Sequence, residues 1–471
     1  EMCIRDSSIY KLQAISLIES IVICLISYIL ALFIVNDLSY TPIANWVDAD
    51  IRLSQYKGLI LLTALIAILT GCLAGLYPAI RSTSYAPALE LKGSFGLSPK
   101  GKKVRVALIG FQYTVSIALI IVTLFMGLQN HFMTSSEQLG FNKDQVAIVN
   151  LTPEIYAKHK PQYIQKLKDY PGIEDVAFSV YELSKEDDMI DLEYARHEDK
   201  DVFFKVFYAS ENFLSVMDIQ VEEGRDFTRE DLNKAQSDYI INPAAERDFH
   251  LHPGDRFNDR TVLGVSKDFR FNSCRIASSP FVFALNNDIP NPKLVSYIRF
   301  NSKTNLQEAV AHVRETLKEI DPTFPFEISF YNTILNNLYQ KEQTLGKLIS
   351  LFGIMAILIS IVGVFGLVLF ETQYRRKEIG IRKINGATTG QILLMFNKTY
   401  IRIVSVCFII SIPIAWMGTQ QWLENFAYKT PLHLWVFIVA FLIILSVTIG
   451  TVTFRNWQAA NENPVNSVKS E

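Results

Sequence analysis

The sequence lacks the residue patterns that mark the common catalytic and metal sites. Its 471 residues contain no Gly-x-Ser-x-Gly, no His-Glu-x-x-His and no complete P-loop pattern, which excludes the usual signs of a serine hydrolase, a zinc protease or a P-loop nucleotide site. Gly346-Lys347 comes close to the last of these, but leucine follows where serine or threonine is needed. We therefore expect no catalytic residue, no cofactor and no metal, and we do not expect an enzyme.

Cysteine is scarce, and the net charge is small. The five cysteines form no Cys-x-x-Cys pair, and three of them lie inside apolar runs, so neither a disulfide framework nor a zinc site is indicated. They are Cys3, Cys24, Cys72, Cys274 and Cys407. The 45 lysine and arginine residues are balanced by 47 aspartate and glutamate residues, which excludes the overall basic character of nucleic-acid-binding proteins.

The sequence does contain long apolar runs. The mean hydropathy is +0.19, and six segments reach the roughly 20 residues that a helix needs to cross a bilayer. They are Leu12–Val35, Gly58–Ile80, Val106–Leu128, Leu348–Phe370, Thr399–Gly418 and Leu434–Phe454. These runs predict an α-helical polytopic protein surrounded by membrane lipid.

The basic residues of the connecting segments predict the orientation of these spans. Segments 81–105 and 371–398 carry six lysine or arginine residues each, so both are expected in the cytoplasm by the positive-inside rule. Segment 36–57 is more acidic and is expected outside. With six alternating spans, both chain ends lie in the cytoplasm and residues 129–345 lie outside.

The outside segment 129–345 is polar and has the patterning of a globular α/β domain. Strands are expected at 146–151, 176–180, 203–208, 239–241, 261–265, 295–300 and 326–330, and helices at 160–169 and 306–320. Within it, Glu182–Asp201 holds nine acidic and three basic residues. A solvated loop is favoured there over a site for a cation or a basic peptide.

His250 and His252 alternate at what reads as the end of a strand. A metal site would need a third ligand of matching geometry. The sequence indicates none.

The two ends of the chain resemble each other in the order of helices, loop and tail. Pro87 and Lys92 of the first tail match Pro464 and Lys469 of the second. This repeat predicts duplicated halves and a natural protein of about eight spans with two outside domains. The given chain would then be truncated at its start, and residues 1–11 are expected to be a non-native or truncated edge.

Gly71 and Gly75 lie one turn apart on one face of the second apolar run. Small residues at this spacing let two helix backbones approach closely in lipid. We expect these glycines to form a helix–helix contact, although glycine is also simply common in membrane helices.

The most specific local pattern follows the fourth apolar run. It reads Glu378-Ile379-Gly380-Ile381-Arg382-Lys383, then two residues, then Gly386-Ala387. A topological anchor explains its positive charge but not the order of its residues. The acid-first pair at 378 and 382 favours a helix, and Gly386 suits a helix end. Ile379 and Ile381 are expected to be apolar anchors for a partner.

This pattern resembles the permease subunits of the FtsX-like/MacB-like class of ABC transporters. Further similar segments are 213–217, 223–227, 240–242, 253–257, 264–269 and the tail with Asn463-Pro464-Val465 and Lys469. The eight-span version is similar to permeases of the Bacteroidetes group. Asn385 departs from the small or apolar residue that is frequent there.

The resemblance implies a fold, a partner and a location. Residues 12–92 would be the end of a first FtsX-like transmembrane half, 93–128 a cytoplasmic linker with the third span, 129–345 a MacB-like periplasmic core domain, and 346–471 an FtsX-like transmembrane domain with three spans. A coupling helix at about 371–387 would dock on a separate cytoplasmic ABC ATPase at the bacterial inner membrane. A periplasmic adaptor and an outer-membrane channel are further implied partners.

In this class, ATP hydrolysis moves the periplasmic domains to export or extract a peptide, lipoprotein or amphiphile. The alternative is a regulatory device of the same fold, which senses antimicrobial peptides or activates a cell-wall enzyme. A membrane-anchored binding protein without an ATPase is a third hypothesis, and the coupling pattern disfavours it.

Overall fold

The computed structural model describes residues 9–41, 55–83, 99–135, 139–184, 191–197, 200–234, 236–270, 273–285 and 294–461. The chain divides into two compact units. The first comprises residues 1–120, 344–413 and 437–471, and the second comprises residues 121–343 and 414–436.

Three long helices open the chain. They are α1 (Ile9–Leu38), α2 (Lys57–Thr83) and α3 (Pro99–Thr134). Each contains a window apolar and long enough to cross a bilayer. Proline stands at the first position of α3, where its missing N–H breaks no helical hydrogen bond.

An α/β domain of eleven strands follows in the described residues. The strands are β1 (Val146–Leu151), β2 (Ile173–Ser179), β3 (Asp191–His197), β4 (Lys200–Ala209), β5 (Val221–Gly224), β6 (Tyr239–Ile241), β7 (Arg256–Phe257), β8 (Arg260–Ser266), β9 (Phe281–Leu285), β10 (Leu294–Phe300) and β11 (Ile328–Phe330). The order across the sheet is β11-β1-β10-β2-β4-β9-β6-β8-β5, while β3 pairs with β4 and β7 pairs with β8. Parallel pairing occurs between β4 and β9 and between β6 and β8.

Five α-helices belong to this domain in the part of the chain that the structure describes. They are α4 (Lys160–Lys168), α5 (Phe213–Met217), α6 (Pro243–Phe249), α7 (Leu306–Ile320) and α8 (Tyr331–Leu338). Asparagine caps two of them, because Asn242 accepts a hydrogen bond from Ala245 N and Asn305 accepts one from Gln307 N. Such caps satisfy N–H groups that the first helical turn leaves unpaired.

The sheet is buried on both faces. On β4, Phe204, Val206 and Tyr208 point into one apolar cluster, while Phe207 points into another with Phe213 and Phe283. This alternation is the period-two pattern of a strand between two packed layers.

The sequence missed four strands, for different reasons. In β9 all five side chains are buried, so the run shows no alternation to recognise. Strand β3 lies in the acidic segment, and the prediction of a loop there is wrong for residues 191–197. Strands β5 and β7 have four and two residues. The seven expected strands are all present, β1 and β6 with the expected ends and the other five with shifted ends.

Four further helices lie between residues 340 and 461 of the described chain. They are α9 (Gln340–Tyr374), α10 (Arg376–Ile384), α11 (Thr389–Leu423) and α12 (Leu434–Asn461). Helices α9, α11 and α12 bring the number of candidate membrane spans in the described residues to six. The predicted fold class, a polytopic helical membrane protein with an α/β domain, is thereby confirmed. The matching prolines and lysines of the internal repeat lie at 84–98 and 462–471. Both ranges fall outside the described residues.

Candidate functional site

Helix α10 is the short amphipathic helix in which the motif at 378–387 begins. Arg382 donates a hydrogen bond to Glu378 Oε1 at 2.8 Å, one turn earlier. The acid lies in the first turn and the basic residues Arg382 and Lys383 in the last, the arrangement that the helix dipole favours.

The helix ends in a left-handed turn. Gly386 has a φ of +88°, a conformation that costs a residue with a side chain about 1–2 kcal/mol. Its N–H bonds to Lys383 O at 3.0 Å, and Ala387 N–H bonds to Arg382 O at 2.9 Å. These two bonds form a Schellman motif, which satisfies the last carbonyls of the helix.

The two faces of α10 differ in exposure. Ile379 is 5% exposed and Gly380 is also buried, while Ile381 and Ile384 are 55% and 65% exposed. Of the two expected apolar anchors, Ile379 is buried in this structure and Ile381 is exposed, and their role toward a partner remains a prediction. The apolar side chains that α10 presents outward are Ile381 and Ile384.

Buried polar side chains hold the start of α10 against its neighbours. Glu371, at the end of α9, accepts hydrogen bonds from Arg375 at 3.0 Å and from Tyr400 Oη at 3.3 Å. Thr372 donates to Asn456 Oδ1 at 2.7 Å. Helices α9, α11 and α12 are thus joined directly beside α10.

Helices α1 and α2 pack closely at the two glycines. A Cβ atom built on Gly71 would lie 2.8 Å from Ile21 Cα, and one on Gly75 would lie 2.8 Å from Ser20 Cβ. Both distances are far below van der Waals contact, so only glycine fits this crossing. Tyr28 Oη adds a hydrogen bond to Ile60 O at 2.7 Å.

The second unit contains a polar junction between the α/β domain and the ends of the long helices. Gln129, on α3, is fully buried. Its amide donates to Tyr428 O at 3.0 Å and accepts from Thr430 N at 2.8 Å. One side chain thereby binds a backbone carbonyl and a backbone N–H of the segment between α11 and α12.

Segment 273–278 of the α/β domain takes part in the same junction, through hydrogen bonds with Tyr428 and Tyr339. Tyr428 N–H donates to Cys274 O at 3.1 Å, and Ser278 N–H donates to Tyr428 Oη at 3.1 Å. Tyr339 accepts from Cys274 N–H at 3.0 Å and donates to its Sγ. Burial raises the pKa of the Tyr339 hydroxyl well above its ordinary value, so it remains a neutral donor.

Two arginines add charged contacts to this junction. The Arg270 guanidinium lies 4.1 Å from the centroid of the Tyr428 ring, within the range of a cation–π interaction. Arg275 pairs with the buried carboxylate of Glu342 at the start of α9. We refer to Gln129, Arg270, Cys274, Tyr339 and Tyr428 as the domain junction.

The comparison with known families concerns the second half of the chain. Residues 350–464 match the FtsX-like permease C-terminal family. This part of the chain is similar to the C-terminal domain of FtsX-like permeases. It contains the motif of α10 and the buried contacts of Glu371, and these 471 residues include no ATPase region.

Two similar proteins are ATP-binding/permease proteins. The macrolide export ATP-binding/permease protein MacB of Aggregatibacter actinomycetemcomitans is 25% identical over 212 residues, which cover 42% of this chain and 32% of that protein. MacB of Neisseria gonorrhoeae is 25% identical over 223 residues, covering 44% and 34%. The chain thus spans about a third of the length of the curated relatives it matches.

Two solved structures are similar to parts of this chain. The periplasmic region of MacB from Actinobacillus actinomycetemcomitans has 15% identity and a TM-score of 0.31, covering 42% of this chain and 94% of that one. The extracellular domain of the transporter YknZ from Gram-positive bacteria has 17% identity and a TM-score of 0.29, covering 39% and 99%.

The expected resemblance to FtsX-like and MacB-like permeases is confirmed at this coarse level. The chain is a multi-pass membrane protein with an α/β domain. The eight-span form, the truncation and the roles of individual residues remain predictions.

Sequence reasoning also missed residues of this chain that form the contacts described above. Tyr400 lies inside the fifth apolar run and Asn456 two residues after the sixth, and polar residues in membrane helices usually mark interhelical bonding, but neither is among the residues predicted from the sequence. Gln129, Tyr339 and Tyr428 gave no local signal, because their partners are distant in sequence.

The histidines turn out differently from the sequence interpretation. His250 ends α6 in a left-handed conformation, so the expected strand end is wrong. The carboxylates of Glu223 and Glu246 and the ring of His252 have ligand atoms within 4.8 Å of one another. Glu223 and His252 are exposed, and exposed groups at such distances do not by themselves indicate a metal.

Proposed function

We propose that the chain is the permease subunit of an ABC transporter of the mechanotransmission type. A separate cytoplasmic ATPase would bind it at the inner membrane, and ATP hydrolysis there would move the periplasmic α/β domain. The cargo would be a peptide, a lipoprotein or an amphiphile that is exported or extracted. The periplasmic adaptor and outer-membrane channel belong to this proposal as further partners.

The observation that carries the proposal is the geometry of α10 within a domain of the FtsX-like permease family. The helix presents Ile381 and Ile384 outward, which suits docking into an apolar groove on an ATPase. Its base is fixed by the buried Glu371, which bonds to Arg375 and Tyr400. These hydrogen bonds connect α10 to α9 and α11. A force applied to α10 would therefore be transmitted to both helices.

The domain junction supports the second step of the proposed mechanism, in which movement of the helices is transmitted to the α/β domain. Gln129 and Tyr339 bond the ends of α3 and α9 to segments 273–278 and 424–430 of the same unit. Their hydrogen bonds are buried, and breaking one would leave unpaired polar groups at a cost of about 1–3 kcal/mol. The helix ends and the α/β domain of this unit are therefore expected to move together.

The first prediction tests docking through the turn after α10. Gly386→Val should weaken association with the cognate ATPase roughly tenfold, since its left-handed backbone disfavours a β-branched side chain. No atom lies within 4 Å of a Cβ at this position, so the substitution strains the turn without a clash. Co-purification and permease-stimulated ATP hydrolysis measure the effect.

Matched variants separate docking from packing. Ile381→Asp should reduce association while the permease remains folded, whereas Ile379→Asp should lower the unfolding midpoint because that side chain is buried. Gly390→Ala is the control, because only Thr388 Oγ1, at 4.0 Å, approaches a Cβ there. The docking proposal is wrong if Gly386→Val and Ile381→Asp both bind and stimulate the ATPase like the wild-type protein.

A further inference from the structure

Arg270, in the domain junction, carries a charge that the proposed coupling does not use. Its Cζ lies 4.1 Å from the centroid of the Tyr428 ring and 5.1 Å from that of the Phe132 ring. The side chain is partly exposed, and its Nη1 is buried without a hydrogen-bond partner among the described residues. Arginine keeps its proton at any physiological pH, so the positive charge here is permanent.

The charges around Arg270 cancel one another, and no described carboxylate forms an ion pair with it. Segments 267–278 and 424–430, together with the start of α9, hold three further basic and three acidic residues. They are Lys267, Asp268, Arg275, Glu342, Glu424 and Lys429. Arg275 and Glu342 pair with each other. Arg270 therefore leaves this region with one uncompensated positive charge, and a partly buried charge is stabilised by an anion.

A hydroxyl donor belongs to the ring that Arg270 contacts. Tyr428 Oη accepts a hydrogen bond from Ser278 N–H at 3.1 Å, which uses an oxygen lone pair and leaves the hydroxyl hydrogen to be donated. In the part of the chain that the structure describes, nothing accepts that hydrogen. The guanidinium and the hydroxyl thus offer N–H and O–H donors to one ligand, and an anion with several oxygens can accept from both.

The site lies at the level where two predicted spans end. The third span ends at Leu128, one turn before Phe132, and the sixth begins six residues after Tyr428. Trp435, at the start of α12, is 48% exposed, and tryptophan is enriched at the membrane–water interface. Arg270 is therefore expected at the depth of the lipid head groups, where the anion at hand is a phosphate.

We propose that Arg270 and the Tyr428 hydroxyl bind the phosphate of a membrane phospholipid. A phosphodiester carries a single negative charge, which matches the single uncompensated charge of the site, and its oxygens accept hydrogen bonds from both donors. The acyl chains would stay in the bilayer beside α3. Free phosphate offers the same oxygens without acyl chains, so the experiment has to separate the two sources.

The test measures lipid binding to the delipidated full chain in a phosphorus-free detergent, with no ATPase present. Native mass spectrometry reports the bound fraction of dioctanoyl phosphatidylglycerol and of dioctanoylglycerol, which has the same chains but no phosphate. Phosphatidylglycerol should bind at least tenfold more tightly, because only its head group can pair with an arginine. Inorganic phosphate at the same concentration should leave the bound lipid in place.

Variants locate the binding at the junction. Arg270→Gln should raise the Kd for phosphatidylglycerol at least tenfold, and Arg270→Lys, which keeps the charge but not the planar fork, about threefold. Tyr428→Phe keeps the ring and removes the hydroxyl, and should also raise the Kd about threefold. Arg314→Gln is the control, because this arginine is exposed on α7, and it should change the Kd less than twofold.

Circular dichroism melts show which variants are folded, and Arg270→Lys and Tyr428→Phe decide the question if Arg270→Gln is not. The proposal is overturned if dioctanoylglycerol binds as well as phosphatidylglycerol, if inorganic phosphate displaces the lipid at equal concentration, or if the folded junction variants bind like the wild-type protein. Because no ATPase is present, failure of the coupling proposal would not alter these results.

Discussion

The buried carboxylate of Asp231 is held by more partners than a surface ion pair has. Asp231 is 2% exposed, and its oxygens accept two hydrogen bonds from Arg225, at 2.7 and 2.8 Å. Thr228 donates to it through both its N–H and its hydroxyl, at 2.9 and 2.8 Å. Arg225, more than any other partner, holds the pKa of Asp231 well below its ordinary value of 3.8.

This lowered pKa predicts how stability depends on pH. Asp231 protonates more readily in the unfolded chain, so its contribution is complete above about pH 4 and is lost as the pH falls toward the lower folded pKa. Asp231→Asn should lower the unfolding temperature at neutral pH and flatten its decline in acid. Circular dichroism melts of the full chain between about pH 3 and 7 measure both effects.

Asp248→Asn is the control for this prediction, because its carboxylate is 43% exposed and pairs with Arg247 at the surface. An exposed pair of this kind contributes little. If the two variants have the same acid profile, Asp231 does not carry the predicted share of the pH dependence.

At the scale of helices, close packing in the membrane depends on the absence of side chains. In water, burial of apolar surface would hold α1 against α2. Lipid is as apolar as leucine, so this driving force is missing in the membrane. The two helices are instead held by van der Waals packing, which requires a short distance between their backbones. The approach to Ile21 and Ser20 at Gly71 and Gly75 leaves no room for a side chain.

Gly75→Leu should therefore separate α1 from α2. Overpacking of this kind costs typically about 1–3 kcal/mol, and the unfolding midpoint in detergent should fall. Gly58→Leu is the matched control on the same helix, since no atom lies within 4 Å of a Cβ there. Equal stability of the two variants would reject a tight α1–α2 contact.

At the scale of the whole molecule, the α/β domain contains everything that its core requires. Both of its large apolar clusters are built from residues between Leu139 and Leu335. A fragment of residues 139–338 should therefore unfold cooperatively and give a mixed α/β circular dichroism spectrum. A disordered spectrum would contradict this prediction.

A shorter fragment tests which part completes the core. Residues 146–320 lack Leu139, Phe141, Tyr331 and Leu335 of the second cluster, and also the edge strand β11. Deleting several buried side chains at once should lower the melting temperature strongly or prevent folding. If both fragments melt alike, the second cluster contributes less than its burial indicates.

Much of the architecture follows from local sequence, and the reason is physical. A run such as Leu434–Phe454 has no stable place except in lipid or a core, so its length and hydropathy determine a span. Strand β1 and helix α7 were predicted with their observed ends, because alternation and the 3.6-residue period are local properties. The turn at Gly386 follows from glycine's freedom at positive φ.

Only the tertiary structure decided which side chains meet. Ile379 and Ile381 are equivalent in sequence, but the packing of α10 buries the first and exposes the second. Gln129 meets Tyr428, about 300 residues away, and no local pattern encodes a pairing at that distance. The sequence by itself determined where apolar surface must be hidden, because hydrophobicity belongs to each residue. The fold decided which polar groups meet, because a hydrogen bond depends on two positions at once.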